Sequence, residues 1–183
     1  MDELLCQIER YAPQNEQEAR DREEMLRALR CEPDVLTREN KRLHFTASAW
    51  LTNKTRTRIV MVWHNIFRSW SWCGGHADGC ADLAAVALRE AKEETGLDAV
   101  LTDKRIFSLE TLTVDGHEKN GLYVPSHLHL NVTFHLTADE DAPLFVKPDE
   151  NSGVRWFSPE EAVAACTEPW VAERIYKKLN ARL

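Results

Sequence analysis

The chain has 183 residues, 43% apolar and 29% charged, which describes a folded domain with a real core and excludes extensive disorder. Its formal net charge of −7 argues against nonspecific binding of nucleic acid, which needs a basic face, but leaves a nucleotide substrate open because a bound cation offsets phosphate charge. No apolar run approaches the roughly 20 residues that span a bilayer, and the acidic start MDELLCQIERYAP has no signal-peptide pattern, so a cytoplasmic protein with no membrane partner is expected.

Residues 1–42 read as a helical extension, distinct from the domain expected over 43–183. Leu4, Leu5, Ile8 and Tyr11 recur at helical spacing before Pro13 breaks the run. A second helix is predicted over about 15–30, with Ala19, Met25, Leu26 and Leu29 among charges. A cap packed on the main domain and a dimerisation or substrate-gating arm are both consistent with this pattern. The five cysteines (Cys6, Cys31, Cys73, Cys80, Cys166) lack CxxC spacing, which predicts free thiols without a disulfide framework or a zinc site.

From residue 44 the pattern changes to strands, predicted at 44–51 (HFTASAWL) and 58–63 (RIVMVW) around a polar hairpin turn. Phe67, Trp70 and Trp72 precede Gly74 and Gly75, which predict a turn that shapes the site. Asp82 is a good N-cap and Gly96 a good stop for the helix between them, whose stripe of Leu83, Ala84, Ala87, Leu88 and Ala91 suits close packing on a sheet. On that helix Glu90, Glu93 and Glu94 share one arc, where they repel one another unless a cation intervenes. Oxygen ligands of this kind suit Mg²⁺ or Mn²⁺.

Further strands are predicted at 106–114 and 126–137. The second alternates strictly, with Leu128, Leu130, Val132, Phe134 and Leu136 on one face and His127, His129, Asn131, Thr133 and His135 on the other. The i, i+2 spacing of the histidines suggests a metal, but no Cys or acidic residue joins them locally and a half-exposed strand explains the pattern equally well; a substrate-facing role is open for His127 and His129. Residues 115–125 and the acidic 138–152 read as loops, 153–157 as a short strand, and Ser158 with Pro159 as the start of a helix. A last amphipathic helix is predicted over about 169–179.

Residues 75–97 resemble the Nudix box, G-x5-E-x7-R-E-U-x-E-E-x-G-U with U aliphatic. Gly75, Arg89, Glu90, Glu93, Glu94, Gly96 and Leu97 match in register, and Ala91 fills the first U position. Residues 154–162 (VRWFSPEEA) resemble the strand-to-helix step that follows in this family. The resemblance implies an α/β/α sandwich with a mixed sheet, and a pyrophosphohydrolase in which Mg²⁺ or Mn²⁺ assists attack of water on a nucleoside diphosphate derivative. Glu90, Glu93 and Glu94 are the implied metal ligands, with Arg89 positioning Glu93. Glu93, Glu94 or Glu150 is the candidate base, and Gly74, Gly75, His127 and His129 are the candidate substrate-binding residues. The chain departs from the pattern where the first box glutamate is replaced by Ala81, with Asp78 and Asp82 nearby. That departure keeps a second reading open, a Nudix-fold nucleotide-binding or regulatory module with weak catalysis. Cys73 alone gives little support to an isoprenoid diphosphate isomerase. The oligomeric state is open, with a homodimer the commonest soluble form.

Overall fold

The structure, a computed structural model, describes residues 1–66, 68–119 and 121–183. Phe67, one of the aromatics before the glycines, and Asn120, within 115–125, lie outside the described residues.

Two helices come first, α1 (Asp2–Arg10) and α2 (Glu16–Cys31). Asn15 caps α2 by accepting from the Glu18 N–H at 2.9 Å. Then follow β1 (Leu43–Asn53), β2 (Ile59–His64), β3 (Ser69–Ser71), β4 (Cys73–His76), α3 (Leu83–Thr95), β5 (Val100–Leu101) and β6 (Ser108–Val114). The chain continues through β7 (His117–Lys119), β8 (Leu122–Val124), β9 (His127–Ala138) and β10 (Asn151–Phe157). It ends in α4 (Pro159–Ala165), α5 (Pro169–Val171), a π-helical turn over Ala172–Tyr176 and α6 (Lys177–Asn180). Among the described residues no helix is long and apolar enough to cross a membrane.

The sheet is mixed and β1 is its axis. β1 runs parallel to β9 from Leu43 opposite Leu128 to Asn53 opposite Ala138, and antiparallel to β2 and β4. β10 extends the sheet beyond β2, while β5 and β6 both pair with β9. Alternation along β1 and β9 divides the protein into layers. Phe45, Ala47, Ala49, Leu51, Leu130, Val132, Phe134 and Leu136 join one core with Val86, Ala87 and Ala91 of α3 and with Leu4, Ile8 and Met25 of the N-terminal helices. On the other face, Trp50 packs with Ile59, Met61, Phe157 and the C-terminal residues Ile175, Tyr176 and Leu179. The helical extension therefore shares its core with the sheet.

Four local expectations change. Gly74 and Gly75 form no turn: they lie within β4, in register with Ser48 and Ala47. The reversal comes later, where Asp78 and Gly79 take positive φ of 45° and 88°. The 115–125 segment is not all loop, because β7 and β8 pair within it. The last helix is interrupted by the π-helical turn, within which the neighbours Ile175 and Tyr176 are both buried. Finally, the polar face of β9 is covered along its middle, while His127 and His129 at its start stay partly exposed. Asn131 and Thr133 are buried in a hydrogen-bonded network in which Asn131 Oδ1 accepts from Thr46 and Ser48, and Glu110 accepts from Asn131 and Thr133.

Candidate active site

The site is built on α3. Asp82 accepts from the Ala85 N–H at 3.0 Å, so it is the helix cap, and Gly96 stops the helix in the left-handed conformation at φ 77°. The small buried stripe of Ala87 and Ala91 brings the helix axis close to β1 and β4. As a result the carboxylates beside the stripe are also withdrawn from water: Glu94 is 3% exposed and Glu90 is 9% exposed.

Each carboxylate is held differently. Glu94 accepts from the Gly74 N–H at 3.1 Å, a bond that β4 provides by passing alongside the helix. Burial, together with the charges of Glu90 and Glu150, pushes the Glu94 carboxyl up to about 8 despite that bond. Glu90 is raised as well, by burial first and by the charge of Glu93, against the opposing pull of Arg89. Arg89 donates to Glu90 at 2.9 Å and stands 3.9 Å from Glu93, so its main partner is Glu90 and not the expected Glu93. Glu93, half-exposed, is paired with Lys147 at 3.0 Å, and the same ammonium lies 2.9 Å from Glu150.

Lys147 is a residue of the candidate site that the sequence does not single out. Its only signal is that it is the lone cation in the acidic segment ADEDAPLFVKPDENS. Its placement depends on contacts between the segment and the end of α3. The Phe145 N–H donates to the Thr95 carbonyl, the Phe145 ring covers Gly96, and buried Asn151 donates to the Glu94 carbonyl. These contacts carry Lys147 and Glu150 to Glu93 and Glu94. Asp78 is taken up by Arg38 through a bidentate pair at 2.8 and 2.6 Å. With Asp82 committed to the cap, neither aspartate stands in for the carboxylate absent at Ala81. Burial, and after it the Glu94 carboxylate, push the Cys73 thiol well above its usual value, which disfavours the thiolate that a nucleophile needs.

The residues fit a hard divalent cation. The donor set is all oxygen, two of its carboxyls are raised chiefly by burial and by neighbouring carboxylates, and a lysine ammonium lies against the third. Gly75 provides the space: a Cβ there would lie 2.5 Å from Glu90 Cδ. The clash would fall on the end of a flexible side chain, so Gly75→Ala is expected to fold while displacing Glu90. Hydrolysis should fall on the order of 10- to 100-fold with little change in melting temperature, read from kcat/KM and a thermal melt of the same preparation. Gly74 differs, because a Cβ there meets the Ala47 backbone carbonyl at 2.7 Å, so the alanine variant should lose stability as well.

His127 and His129 lie on the opposite side of the sheet from Glu90. Gly75 and Val132 flank Ala47 on the face toward α3, whereas His129 flanks His44 on the other. His127 and His129 approach each other with their Nε2 atoms 3.1 Å apart.

The NUDIX domain model matches residues 42–179. No curated protein gives a significant match. Among solved structures, a NUDIX-family hydrolase from Clostridium perfringens shares 18% identity over 75% of this chain and 97% of its own, with a TM-score of 0.54. An Ap4A hydrolase from C. elegans, in a binary complex, shares 16% identity over 75% of this chain and 95% of its own, at 0.55. The E. coli dihydroneopterin triphosphate pyrophosphohydrolase shares 13% identity over 76% and 96%, at 0.56. At these identities the likeness is one of fold.

Proposed function

The chain belongs to the NUDIX domain family, a family of pyrophosphohydrolases, and we propose that it cleaves the pyrophosphate linkage of a nucleoside diphosphate derivative with Mg²⁺ or Mn²⁺. The observation that carries this reading is the paired burial of Glu90 and Glu94 beside Glu93, on a helix end that the Lys147 segment closes. Glu90, Glu93 and Glu94 would hold the ion. When bound, the ion neutralises the diphosphate and acidifies a water molecule. The chain's own groups prepare that step. The Gly74 N–H fixes one oxygen of Glu94, and Arg89 orients Glu90. Glu150, held by Lys147, is the proposed acceptor of the water's proton. Lys147 itself is a cation beside the expected position of the diphosphate.

The alternative, a nucleotide-binding module with weak turnover, is favoured by one observation: the Lys147 ammonium already satisfies Glu93 and Glu150 in this structure. Incubation with nucleotide sugars, ADP-ribose, dinucleoside polyphosphates and oxidised nucleotides separates the two readings. We expect turnover of at least one compound with Mg²⁺, its loss in EDTA, and its recovery on adding the metal back. Metal-independent binding of the same compounds without turnover would support the module.

A further inference from the structure

We propose that His44, His127 and His129 form a second metal site, for a transition-metal ion of the zinc class, on the face of the sheet opposite the α3 carboxylates. Among the described residues this is the one group of three potential ligand side chains whose ligand atoms all lie within 4.8 Å of one another. Sequence spacing pairs His127 with His129. The third member comes from the parallel pairing of β1 with β9, which places His44 directly beside His129.

The outer contacts aim the rings inward. His44 Nδ1 lies 3.0 Å from the Asn40 carbonyl and His127 Nδ1 lies 2.9 Å from the Pro125 carbonyl. A carbonyl only accepts, so each Nδ1 carries the hydrogen and each Nε2 keeps a lone pair. Backbone carbonyls that fix the tautomer in this way are the usual outer contacts of metal-bound histidine. His44 is 4% exposed, and its Nε2 is buried with no hydrogen-bond partner among the described residues. Leaving a buried acceptor unsatisfied is unfavourable, a cost that a bound ion would remove.

Spacing and chemistry agree with the assignment. Ligand nitrogens 2.0–2.1 Å from a tetrahedral zinc are about 3.3 Å apart. The Nε2 atoms of His127 and His129 are 3.1 Å apart. The His129 ring packs against those of His44, His76 and His127, with centroids 5.0, 4.9 and 5.0 Å away. The His76 ring stands 5.1 Å from that of His44 and 4.9 Å from that of His129, beside the group. Three imidazole ligands without a carboxylate favour Zn²⁺, Co²⁺, Ni²⁺ or Cu²⁺ over Mg²⁺, the reverse of the α3 donor set.

The test uses the full chain made without a histidine tag, stripped with EDTA and titrated with Zn²⁺ and Co²⁺ in excess Mg²⁺. We expect one Zn²⁺ retained per chain and visible Co²⁺ absorption bands of a tetrahedral nitrogen site. Both should persist in Glu93→Gln, and His127→Gln and His129→Gln should each weaken Zn²⁺ binding on the order of 100-fold. His127 is partly exposed, so if His129→Gln fails to fold, His127→Gln decides. Absence of retained Zn²⁺, binding unchanged in His127→Gln, or binding lost in Glu93→Gln would each overturn the proposal. Hydrolysis is not the readout, so a failure here leaves the α3 reading standing.

Discussion

Glu94→Gln is expected to lower Mg²⁺-dependent hydrolysis on the order of 100-fold or more without unfolding the chain. Glutamine keeps an oxygen that can accept from the Gly74 N–H, so the link between β4 and α3 survives. It loses the negative charge, and its amide group would donate where a cation needs an acceptor. The same substitution has a second, opposite effect on stability. The metal-free Glu94 carboxyl is raised from the ordinary carboxylate range to about 8, so the native chain holds a proton there that the unfolded chain has released. Stability from this group is therefore fully present below the ordinary carboxylate range and is lost as the pH rises toward 8, at no more than about 1.4 kcal/mol per pH unit. In EDTA, wild-type protein should melt at progressively lower temperature from mildly acidic to mildly alkaline pH, and Glu94→Gln should flatten that slope. Mg²⁺ should raise the wild-type melting temperature most at the alkaline end, where no proton has to be displaced. A slope unchanged by the substitution would remove Glu94 as its source.

The α3 site was legible because its chemistry is local in sequence. The Asp82 cap, the alanine stripe, the carboxylate spacing and the Gly96 stop are all set by helical periodicity, and the structure keeps each of them. What failed was whatever depends on partners distant along the chain. Gly74 and Gly75 read as a turn because glycine permits one. The actual reason for glycine is that β4 passes so close that a Cβ at Gly74 would meet the β1 backbone and one at Gly75 would push Glu90 aside. Lys147 and Glu150 reach the site through the docking of Phe145 on Gly96, a contact with no sequence period. The alternation in β9 was correct as a strand signal, but alternation marks a polar face without saying whether that face is wet. Here its middle is covered, with Asn131 and Thr133 bonded to Glu110, and partly exposed His129 and His127 gather at its end beside His44.

The same covered face carries the largest expected loss of stability. Glu18 is completely buried and receives Arg182 at 2.5 Å, Lys178 at 3.2 Å and the Ser108 hydroxyl at 2.9 Å, so α2, β6 and the C-terminal end meet on one carboxylate. Burial alone would raise its carboxyl. The Gln14 N–H and the charges of Lys178 and Arg182 outweigh that and hold it below its ordinary value. Truncation is not symmetrical in effect. In Glu18→Ala, Lys178 keeps Glu110 at 2.9 Å, but Arg182, 6% exposed at its side chain, retains among the described residues only neutral partners, the Tyr11 hydroxyl and the Phe107 carbonyl. Removing one member of a buried pair costs about 3–5 kcal/mol, because the remaining charge is left uncompensated. At this chain length each kcal/mol lowers the melting temperature by about 2–4 °C, so a fall of roughly 10 °C is expected at neutral pH. The exposed pair Arg20–Glu23 is the control: its side chains are 70% and 63% exposed, and Arg20→Ala should shift the melt by little. Because Glu18 is held below its ordinary value, its contribution is present above the usual carboxylate range and is lost as the pH falls through the lowered one. The gap between wild type and Glu18→Ala should therefore narrow in acid, and a gap independent of pH would assign the loss to packing and not to charge.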